Sequence, residues 1–470
     1  MTTGEHLERL TAVDASFLTN ESSASHMHIG AILIFEGPPP AYVDLVEHVR
    51  GRLDKVPRFR QRLVEPPLEA GRPLWADDVN FNLSYHIRHT ALPRPGGEEQ
   101  LKRLAGRVFS QQLDRSKSLW EMWLVQGLEH DRFAILTKTH HAAVDGIAGV
   151  DIATVLFDLE PIPEPAPVQD SWKPEPHPST AHLIARAVTD AVETPLKLAE
   201  RAVDAVLHPE TAARRVTEAL EGVAEVAAAF ADPAPDVPLN QEIGPHRRFA
   251  LARSELATFK LIKDTFGGTV NDVVLAVVTG ALRQWLHRRG TRTEGLELRA
   301  LVPVSIRAED ERGQLGNRLA AMRGPLPVYV EDPARRLRVV SEQMEGLKRS
   351  KQALGAEVIA RFNDFAPPTL LAQAARINFS TRLFNLIVTN VPGPQIPLYV
   401  LGRELEEVFP VAFLPQNHSL AVAIMSYNGR ICFGLLADYD TMDDVDEIAH
   451  GLDESLAELE EAATAAAAPA

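Results

Sequence analysis

The pattern of hydrophobic and polar residues predicts a chain that mixes strands and helices. Short apolar runs closed by turn residues are typical of buried strands, whereas apolar residues three and four positions apart are typical of helices. The runs predict strands over Ile29–Phe35, Trp120–Leu128, Arg132–His140, Leu296–Val304 and Leu386–Val391. The helical spacings predict helices over Tyr42–Leu53, Gln100–Phe109, Gly146–Leu156, Leu256–Phe266, Val270–Arg289, Pro333–Arg349 and Asp443–Ala470.

Two places carry sharper local signals. Thr269 precedes a long apolar helix pattern and Gly290 follows it, so we expect an N-cap at Thr269 and a helix end at Gly290. Asn428-Gly429 separates two apolar runs, Leu420–Tyr427 and Arg430–Asp438, which predicts a β-hairpin with a tight turn.

A change of composition divides the chain into three parts. Seven prolines fall between Pro161 and Pro178, which is typical of a linker, and the segment Ala181–Phe230 that follows is rich in Ala, Glu, Val and Arg. We therefore expect a first α/β lobe over residues 1–160, a crossover linker with helices over residues 161–243, and a second α/β lobe over residues 244–470.

Composition and charge narrow the classes of function. The 470 residues include 48 Lys and Arg against 64 Asp and Glu, a net charge of −16, which argues against nucleic acid as a partner. Cys432 is the only cysteine, so neither an intrachain disulfide nor a cysteine-based metal site is expected. The start of the chain lacks a signal-peptide pattern, and no apolar run approaches the ~20 residues of a membrane-spanning helix. We expect a cytoplasmic protein that can still touch a membrane with its surface.

One motif carries strong candidate chemistry. His140-His141-Ala142-Ala143-Val144-Asp145-Gly146 follows a predicted strand and precedes a predicted helix. A histidine at the end of a strand can project into a cleft, and neutral imidazole is the usual general base near pH 7. We assign His141 as the candidate base, with His140 as a supporting residue and Gly146 as the turn residue. Asp145 can orient His141 directly, or it can pair with an arginine and brace the loop.

The motif is also compatible with other roles. His-His-Asp can supply metal ligands, but no further histidine or carboxylate cluster has ligand spacing, so no metal is expected. The histidines can also be purely structural. The sequence has no G-x-S-x-G, no G-x-x-x-x-G-K-[ST] and no H-E-x-x-H. Without an activated nucleophile, a base that deprotonates an external alcohol or amine for attack on a bound donor is favoured.

The H-H-x-x-x-D-G pattern resembles the active-site motif of the coenzyme A-dependent acyltransferases, and within them the bacterial wax ester synthase/diacylglycerol acyltransferase family resembles this chain best. Six further segments resemble that family's motifs in order: Leu10–Phe17 with Met27–Gly30, Pro73–Trp75, Leu113–Leu128, Asn271-Asp272, Gly316–Arg318 with Asn390–Pro394, and Ser426–Gly429 with Phe433-Gly434. The chain departs from the family at Ser118, where proline is frequent, and at Cys432, where aspartate is frequent. Neither departure touches the histidine motif.

The resemblance implies a fold and an activity. The fold is α/β, with two chloramphenicol-acetyltransferase-like lobes, each a mixed β-sheet flanked by helices, around a central tunnel. The activity is O-acyl transfer of a long-chain acyl group from acyl-coenzyme A to diacylglycerol, which makes triacylglycerol, and to fatty alcohols, which makes wax esters. Acyl-coenzyme A is then a substrate, and no permanently bound cofactor is expected. The resemblance also implies that Asn271 donates to the developing oxyanion, with Asp272 in support.

The same residues also allow purely structural interpretations. Asn271 and Asp272 open a helix and can simply cap it, while Trp75, Trp120 and Trp123 are more typical of a core than of a site. The basic clusters at Arg247-Arg248, Arg288-Arg289 and Arg335–Arg338 can be solvated surface, or one of them can hold the phosphates of coenzyme A.

The sequence is compatible with two alternative functions, and it suggests a location at a lipid surface. A carrier-protein-dependent, polyketide-type or condensation-like acyltransferase shares the histidine motif, and a lipid-droplet coat protein can keep the fold without the chemistry. Diacylglycerol and wax alcohols barely leave lipid, so we expect peripheral attachment at the inner membrane face or at lipid droplets. The candidate surfaces are the apolar stripe in Ala181–Val192, which can instead pack on the lobes, and the basic helix around Arg335–Arg338.

Overall fold

A computed structural model describes residues 7–67, 72–143, 155–162, 172–179, 183, 231–305, 319–349 and 379–467. Its strands are β1 Glu8–Arg9, β2 His28–Phe35, β3 Gln61–Val64, β4 Leu74–Asp77, β5 Ile87–Ala91, β6 Trp120–Gln126, β7 Phe133–His140, β8 Arg247–Glu255, β9 Leu298–Ser305, β10 Leu319–Leu326, β11 Leu386–Pro392, β12 Tyr399–Val400, β13 Arg403–Val411, β14 Leu420–Tyr427 and β15 Arg430–Asp438. Its α-helices are α1 Ala12–Asn20, α2 Tyr42–Arg50, α3 Leu83–His86, α4 Glu98–Phe109, α5 Leu256–Phe266, α6 Val270–Arg288, α7 Pro333–Arg349 and α8 Val445–Ala467.

Some predicted segments lie outside the described residues. They include most of the helix predicted over Gly146–Leu156, the motif segment Gly316–Arg318, and nearly all of the crossover helices in Ala181–Phe230. Leu183 is the one described residue of the apolar stripe in Ala181–Val192, and it is buried against Val64 and Leu74. That contact agrees with packing of the stripe on the first lobe.

The first sheet has six strands in the order β12-β13-β2-β7-β6-β5. Its neighbours are antiparallel except β5 and β6, which run parallel, so the sheet is mixed. All eight residues of β7 are buried, as expected for a central strand covered on both faces. The register of β2 and β7 places His28 directly opposite His140, at the end of the sheet where the histidine motif begins.

The second sheet also has six strands, in the order β10-β9-β11-β14-β15-β8. Parallel pairing of β9 with β11 and of β11 with β14 makes this sheet mixed as well. The predicted hairpin is confirmed with its predicted bounds, as β14 and β15 pair antiparallel from Leu420 opposite Ala437 to Tyr427 opposite Arg430. Two mixed sheets with helices packed on them confirm the predicted α/β fold class. A small third sheet joins β1, β4 and β3.

Strand β13 joins the two halves of the chain. It lies far along the chain, between two strands of the second sheet, yet it pairs antiparallel with β2 in the first sheet, from Leu405 opposite Phe35 to Val411 opposite Gly30. The sequence did not predict this strand, because its acidic residues and Pro410 obscure the apolar pattern. Gly30 allows the close approach at the centre of the sheet, since a Cβ there would lie 1.9 Å from the carbonyl oxygen of Thr137. The boundaries at residues 160 and 243 stay predictions.

Helix α6 forms the core of the second lobe. Thr269 accepts from the backbone N–H of Asp272, and the Asp272 carboxylate accepts from the N–H of Thr269 at 2.8 Å, so the predicted N-cap is confirmed as a reciprocal capping box. Thirteen of its residues, from Asp272 to Leu286, are buried against the sheet and against α8.

Taken singly, none of the described helices has the length and apolar character to cross a membrane. The pair α5 and α6 meets that criterion only together, and it is bent by 101°.

An apolar layer packs between the two sheets. Phe109 of α4, Phe249 of β8, Phe409 of β13 and Ile387 of β11 belong to one buried cluster there. An ion pair also links the two lobes, as Lys102 of α4 lies 2.5 Å from Asp446 of α8. The end of β7 lies beside this layer, because His141, the residue after β7, contacts Phe413 of the same cluster.

Candidate active site

The histidine pair spans the end of a strand and the start of a turn. Strand β7 ends at His140, and His141–Ala143 continue as a short 3₁₀ turn. The backbone N–H of His141 donates to the carbonyl oxygen of Met27 at 2.9 Å. Met27 is buried and has a φ of 50°, a left-handed conformation that costs a residue with a side chain about 1–3 kcal/mol. The backbone of His141 is thus held by a residue in a left-handed conformation, Met27, which immediately precedes β2.

Aromatic rings enclose the imidazole of His141. Phe17 of α1 stacks on it with ring centroids 3.9 Å apart and an interplanar angle of 19°, and Phe413 meets it edge-on at 5.5 Å. Phe379 completes the cluster through contacts with both phenylalanines. Burial lowers the pKa of His141 to about 4, and a contact with its own backbone opposes that shift. The ring is therefore neutral near pH 7, as a general base must be.

His140 has a different environment. Its side chain is fully buried, and its Nδ1 accepts the backbone N–H of Ala142 at 3.0 Å. Burial, aided by the positive charge of Arg115, lowers the pKa of His140 to about 3. A neutral ring whose Nδ1 accepts a hydrogen bond carries its proton on Nε2. His140 thus contacts the turn that follows β7 through Ala142, and its supporting role stays a prediction.

Three of the family-like motifs pack directly around this turn. Ala142 and Ala143 belong to a buried cluster with Leu10 of the first motif, Leu18 just beyond it, Trp75 of Pro73–Trp75, and Leu113 and Leu119 of the second tryptophan segment. Trp75 and Trp120 are buried, as the core interpretation predicts, and Trp120 donates to the carbonyl oxygen of Phe59 at 2.8 Å. These motifs therefore support the histidine turn through packing.

Asn271 and Asp272 occupy the first turn of α6. Asp272 is buried and makes the capping box with Thr269, so the capping interpretation describes its observed contacts. Asn271 accepts a hydrogen bond on Oδ1 from Nδ2 of Asn390 at 3.3 Å, which unites two of the family-like motifs. Among the described contacts, none joins Asn271 or Asp272 to His141. Asp145 and Gly146 lie outside the described residues, so their roles stay predictions.

The structure adds four site residues that the sequence interpretation did not assign. Phe17 and Phe413 contact His141, and Glu21 with Arg115 lies beside His140. Phe17 lies in the last turns of α1 and Glu21 is the C-cap residue, so the end of one helix brings both to the histidine pair. The spacing of Phe17 and Glu21 is visible in the sequence, but their contacts with the histidines are not.

The basic clusters are largely committed to internal contacts. Arg247 is buried and donates to the carbonyl oxygens of Gly244 and His246. Arg289 donates to both carboxylate oxygens of Asp444. Arg336 is buried and donates to main-chain oxygens at Val330 and Glu331. One arginine of each cluster is therefore structural.

Within the described ranges, no group of three His, Cys, Asp or Glu side chains is placed to hold a metal ion.

The arrangement of the two sheets defines the fold class. Two six-stranded mixed sheets, the first of them completed by β13 from the second half of the chain, form a chloramphenicol-acetyltransferase-like fold. The first condensation domain of the CDA synthetase has this fold, with a TM-score of 0.57 over 99% of this chain and 98% of that chain at 16% identity.

Family models and relatives narrow the class further. The model of the wax ester synthase/diacylglycerol acyltransferase catalytic domain matches residues 10–274, and the model of that family's C-terminal domain matches residues 315–460. The chain belongs to the wax ester synthase/diacylglycerol acyltransferase family, as the motifs predicted, and is an acyltransferase.

Two members show how far the similarity extends. A Mycobacterium tuberculosis protein named as a probable diacylglycerol O-acyltransferase is 34% identical over 457 residues, which cover 96% of each chain. The structure of a wax ester synthase/diacylglycerol acyltransferase from Marinobacter aquaeolei aligns with a TM-score of 0.70 and 27% identity, over 97% of this chain and all of that chain.

Proposed function

We propose that the protein transfers a long-chain acyl group from acyl-coenzyme A to the free hydroxyl of diacylglycerol, and to fatty alcohols as second acceptors. Acyl transfer to diacylglycerol is the activity for which the mycobacterial relative is named, and wax ester synthesis is part of the name of the Marinobacter relative. The observation that carries the proposal is the neutral imidazole of His141, held by Phe17 where the two lobes meet.

In this mechanism His141 acts as a general base. Its Nδ1 is buried without a hydrogen-bond partner among the described residues, which leaves Nε2 to take the hydroxyl proton. The alkoxide oxygen then bonds to the thioester carbonyl carbon. When the tetrahedral intermediate collapses, the carbon–sulfur bond breaks, and the protonated imidazole returns its proton to the coenzyme A thiolate. The products are an ester and free coenzyme A, and no covalent acyl-enzyme is needed.

Asn271 is the proposed donor to the oxyanion of that intermediate. Its Oδ1 already accepts from Asn390, so the amide is oriented and its Nδ2 hydrogens remain available to donate. The side chain sits in the first turn of α6, where the partial positive charge of the helix N-terminus also favours an anion. Asp272 supports this turn through the capping box with Thr269.

The location we propose is the surface of a membrane or lipid droplet, because the acceptors are lipids. The candidate attachment surface is formed by Arg335 and Arg338 of α7, which are exposed. Arg336, between them, is buried and is not part of this surface. Acyl-coenzyme A is bound as a substrate, and no resident cofactor takes part in the mechanism.

A product analysis tests the function. Purified protein is offered labelled long-chain acyl-coenzyme A with diacylglycerol and with hexadecanol in parallel, and the neutral lipids are separated. We expect labelled triacylglycerol as the main product, a smaller amount of wax ester, and neither product from the His141→Ala variant. Absence of both esters with folded protein, or undiminished ester formation by the His141→Ala variant, would contradict the proposal.

A further inference from the structure

The Glu21 carboxylate lies between two buried histidines. Its Oε2 is 3.7 Å from Nε2 of His140, and its Oε1 is 3.8 Å from Nε2 of His28. The side chain of Glu21 is only 5% exposed. A carboxylate is rarely buried unless a specific partner compensates its lost hydration, so its position next to the histidine motif needs a reason.

Arg115 supplies that partner. Its Nε donates to Oε2 of Glu21 at 2.6 Å, and its Nη2 contacts the same oxygen while also donating to the carbonyl oxygen of Leu18 at 2.8 Å. Burial raises the pKa of Glu21, and the positive charge of Arg115 opposes that shift. Lys138 and Arg247 add positive charge on the His28 side of the cluster. The carboxylate is therefore anchored to α1 and to the segment before β6 at once.

The location of this carboxylate bears on the tautomer of His140. Nδ1 of His140 accepts the N–H of Ala142, so the proton must sit on Nε2, and Nε2 faces Oε2 of Glu21. A negative charge at 3.7 Å favours an N–H pointing toward it and disfavours a lone pair there. The other tautomer would place a lone pair against the carboxylate and an N–H against the N–H of Ala142. Both ends of the ring therefore favour the same proton position.

We propose that Glu21, anchored by Arg115, is a positioning residue for acyl transfer, which fixes the His140 tautomer and thereby the turn that carries His141. Within the described residues, Glu21 lies beside His140 and His28 and has no contact with His141. The inference rests on the proposed function, because it assumes that the position of His141 limits the rate. Helix α1 would then serve the site twice, as Phe17 holds the His141 ring and Glu21 holds the turn beneath it.

A double-mutant cycle tests the proposal. Glu21→Gln keeps the shape of the side chain and removes its charge, so we expect kcat to fall by up to about a hundredfold, as for a displaced catalytic group. The KM for acyl-coenzyme A should change by less than about twofold, because substrate contacts are untouched. His140→Ala should also lower kcat, and adding Glu21→Gln to it should lower kcat no further, because Glu21 acts through His140.

A second buried carboxylate provides the matched control. Glu407 on β13 is also buried and contacts two arginines, Arg253 at 2.9 Å and Arg430 at 3.5 Å, but none of the histidines of the motif. Glu407→Gln should lower the melting temperature as much as Glu21→Gln does and leave kcat unchanged. Nitrogen NMR of labelled histidine should show Nδ1 of His140 unprotonated in the wild type and partly protonated in the Glu21→Gln variant.

Several outcomes would overturn the inference. They are an unchanged kcat in the Glu21→Gln variant, additive losses in the double variant, or equal losses of kcat in the Glu407→Gln variant. Should Glu21→Gln fail to fold, Arg115→Lys keeps the charge and removes the two-nitrogen contact, and a wild-type kcat there would equally reject the role. Full activity of His141→Ala would contradict the proposed mechanism itself, whereas an inactive His141→Ala beside a fully active Glu21→Gln would reject only the positioning role.

Discussion

Phe17 lies on the face of the His141 imidazole, with the two ring centroids 3.9 Å apart. Stacking covers one face of the imidazole and so contributes to the burial that lowers the pKa of His141 to about 4. A base with a low pKa is a weak proton acceptor, but it is always unprotonated at neutral pH. Stacking on Phe17 therefore favours an unprotonated His141 at neutral pH, although it makes the imidazole a weaker base.

We expect His141→Ala to abolish acyl transfer and leave the fold intact. General-base assistance contributes about 10²–10⁴-fold, and within the described structure no other base contacts this position. His140→Ala should be milder, since His140 acts through the turn and not on the substrate. Rates of labelled ester formation and circular dichroism spectra check both variants. Equal losses in the two variants would show that the base was assigned too narrowly.

Phe17→Leu should shift the acid limb of the pH–rate profile. The smaller side chain admits water to the imidazole, so the pKa of His141 should rise from about 4 toward its usual value, and the acid limb of kcat/KM should move up by about one pH unit. Phe379→Leu is the matched control, because Phe379 contacts Phe17 and Phe413 but has no ring contact with His141 in the described structure. It should cost stability and leave the limb in place. An unmoved limb in the Phe17→Leu variant would contradict this account of the low pKa.

The sequence predicted those elements whose signals are local. The N-cap at Thr269 and the Asn428-Gly429 hairpin depend on neighbouring residues, and both were predicted with nearly their observed bounds. Strand β13 was missed because its apolar residues become buried only when they pair with β2, far away in the chain. Its acidic positions, such as Glu407, look like surface until Arg253 and Arg430 are placed beside them.

The same distinction holds within the candidate site. His140 and His141 were predicted because the chemical motif is contiguous in the sequence. Phe17 and Glu21 were not assigned, because their role exists only when α1 packs on the turn after β7. Burial is a property of the folded chain, so the pKa of His141 also had no sequence signal.

Asn271→Ala separates oxyanion stabilisation from capping. If Asn271 donates to the oxyanion, the variant should lose about 10²–10³-fold in kcat with little change of melting temperature. Thr269→Ala removes the cap instead, so it should cost about 1 kcal/mol of stability and leave kcat unchanged. Steady-state kinetics and thermal unfolding of the two variants make the comparison. A fully active Asn271→Ala variant would leave Asn271 with only the structural contact to Asn390.

Acid should destabilise the protein between pH 6.5 and 4. The pKa values of His140, at about 3, and of His141 and His418, at about 4, lie below the usual value near 6.5. The unfolded chain therefore binds more protons in this range, and the free energy of unfolding must fall as the pH falls. The stabilisation is complete above about pH 6.5 and is lost as the pH drops through the lowered values.

Urea unfolding at pH 7.5, 6 and 5 measures this slope. His140→Asn keeps an acceptor for the N–H of Ala142 and removes a titrating group, so its stability should depend less on pH. His450→Gln is the control, because His450 is exposed and pairs only with Glu454 in the described structure, and its slope should match the wild type. A free energy of unfolding that stays constant between pH 7.5 and 5 would show that these histidines are not the acid-sensitive groups.

Attachment to lipid should depend on salt. With Arg336 buried and Leu183 packed on the first lobe, the exposed Arg335 and Arg338 of α7 are the remaining described part of the two candidate surfaces. Charge-mediated attachment to anionic vesicles should weaken as salt rises, because charges beyond ~10 Å are screened at 0.1 M. Flotation at low and high salt measures it, and a variant with Arg335→Ser and Arg338→Ser should float less than one with Arg50→Ser on α2. Salt-independent flotation would indicate apolar attachment instead, and failure to float under either condition would reject lipid attachment and point to an acceptor delivered in solution.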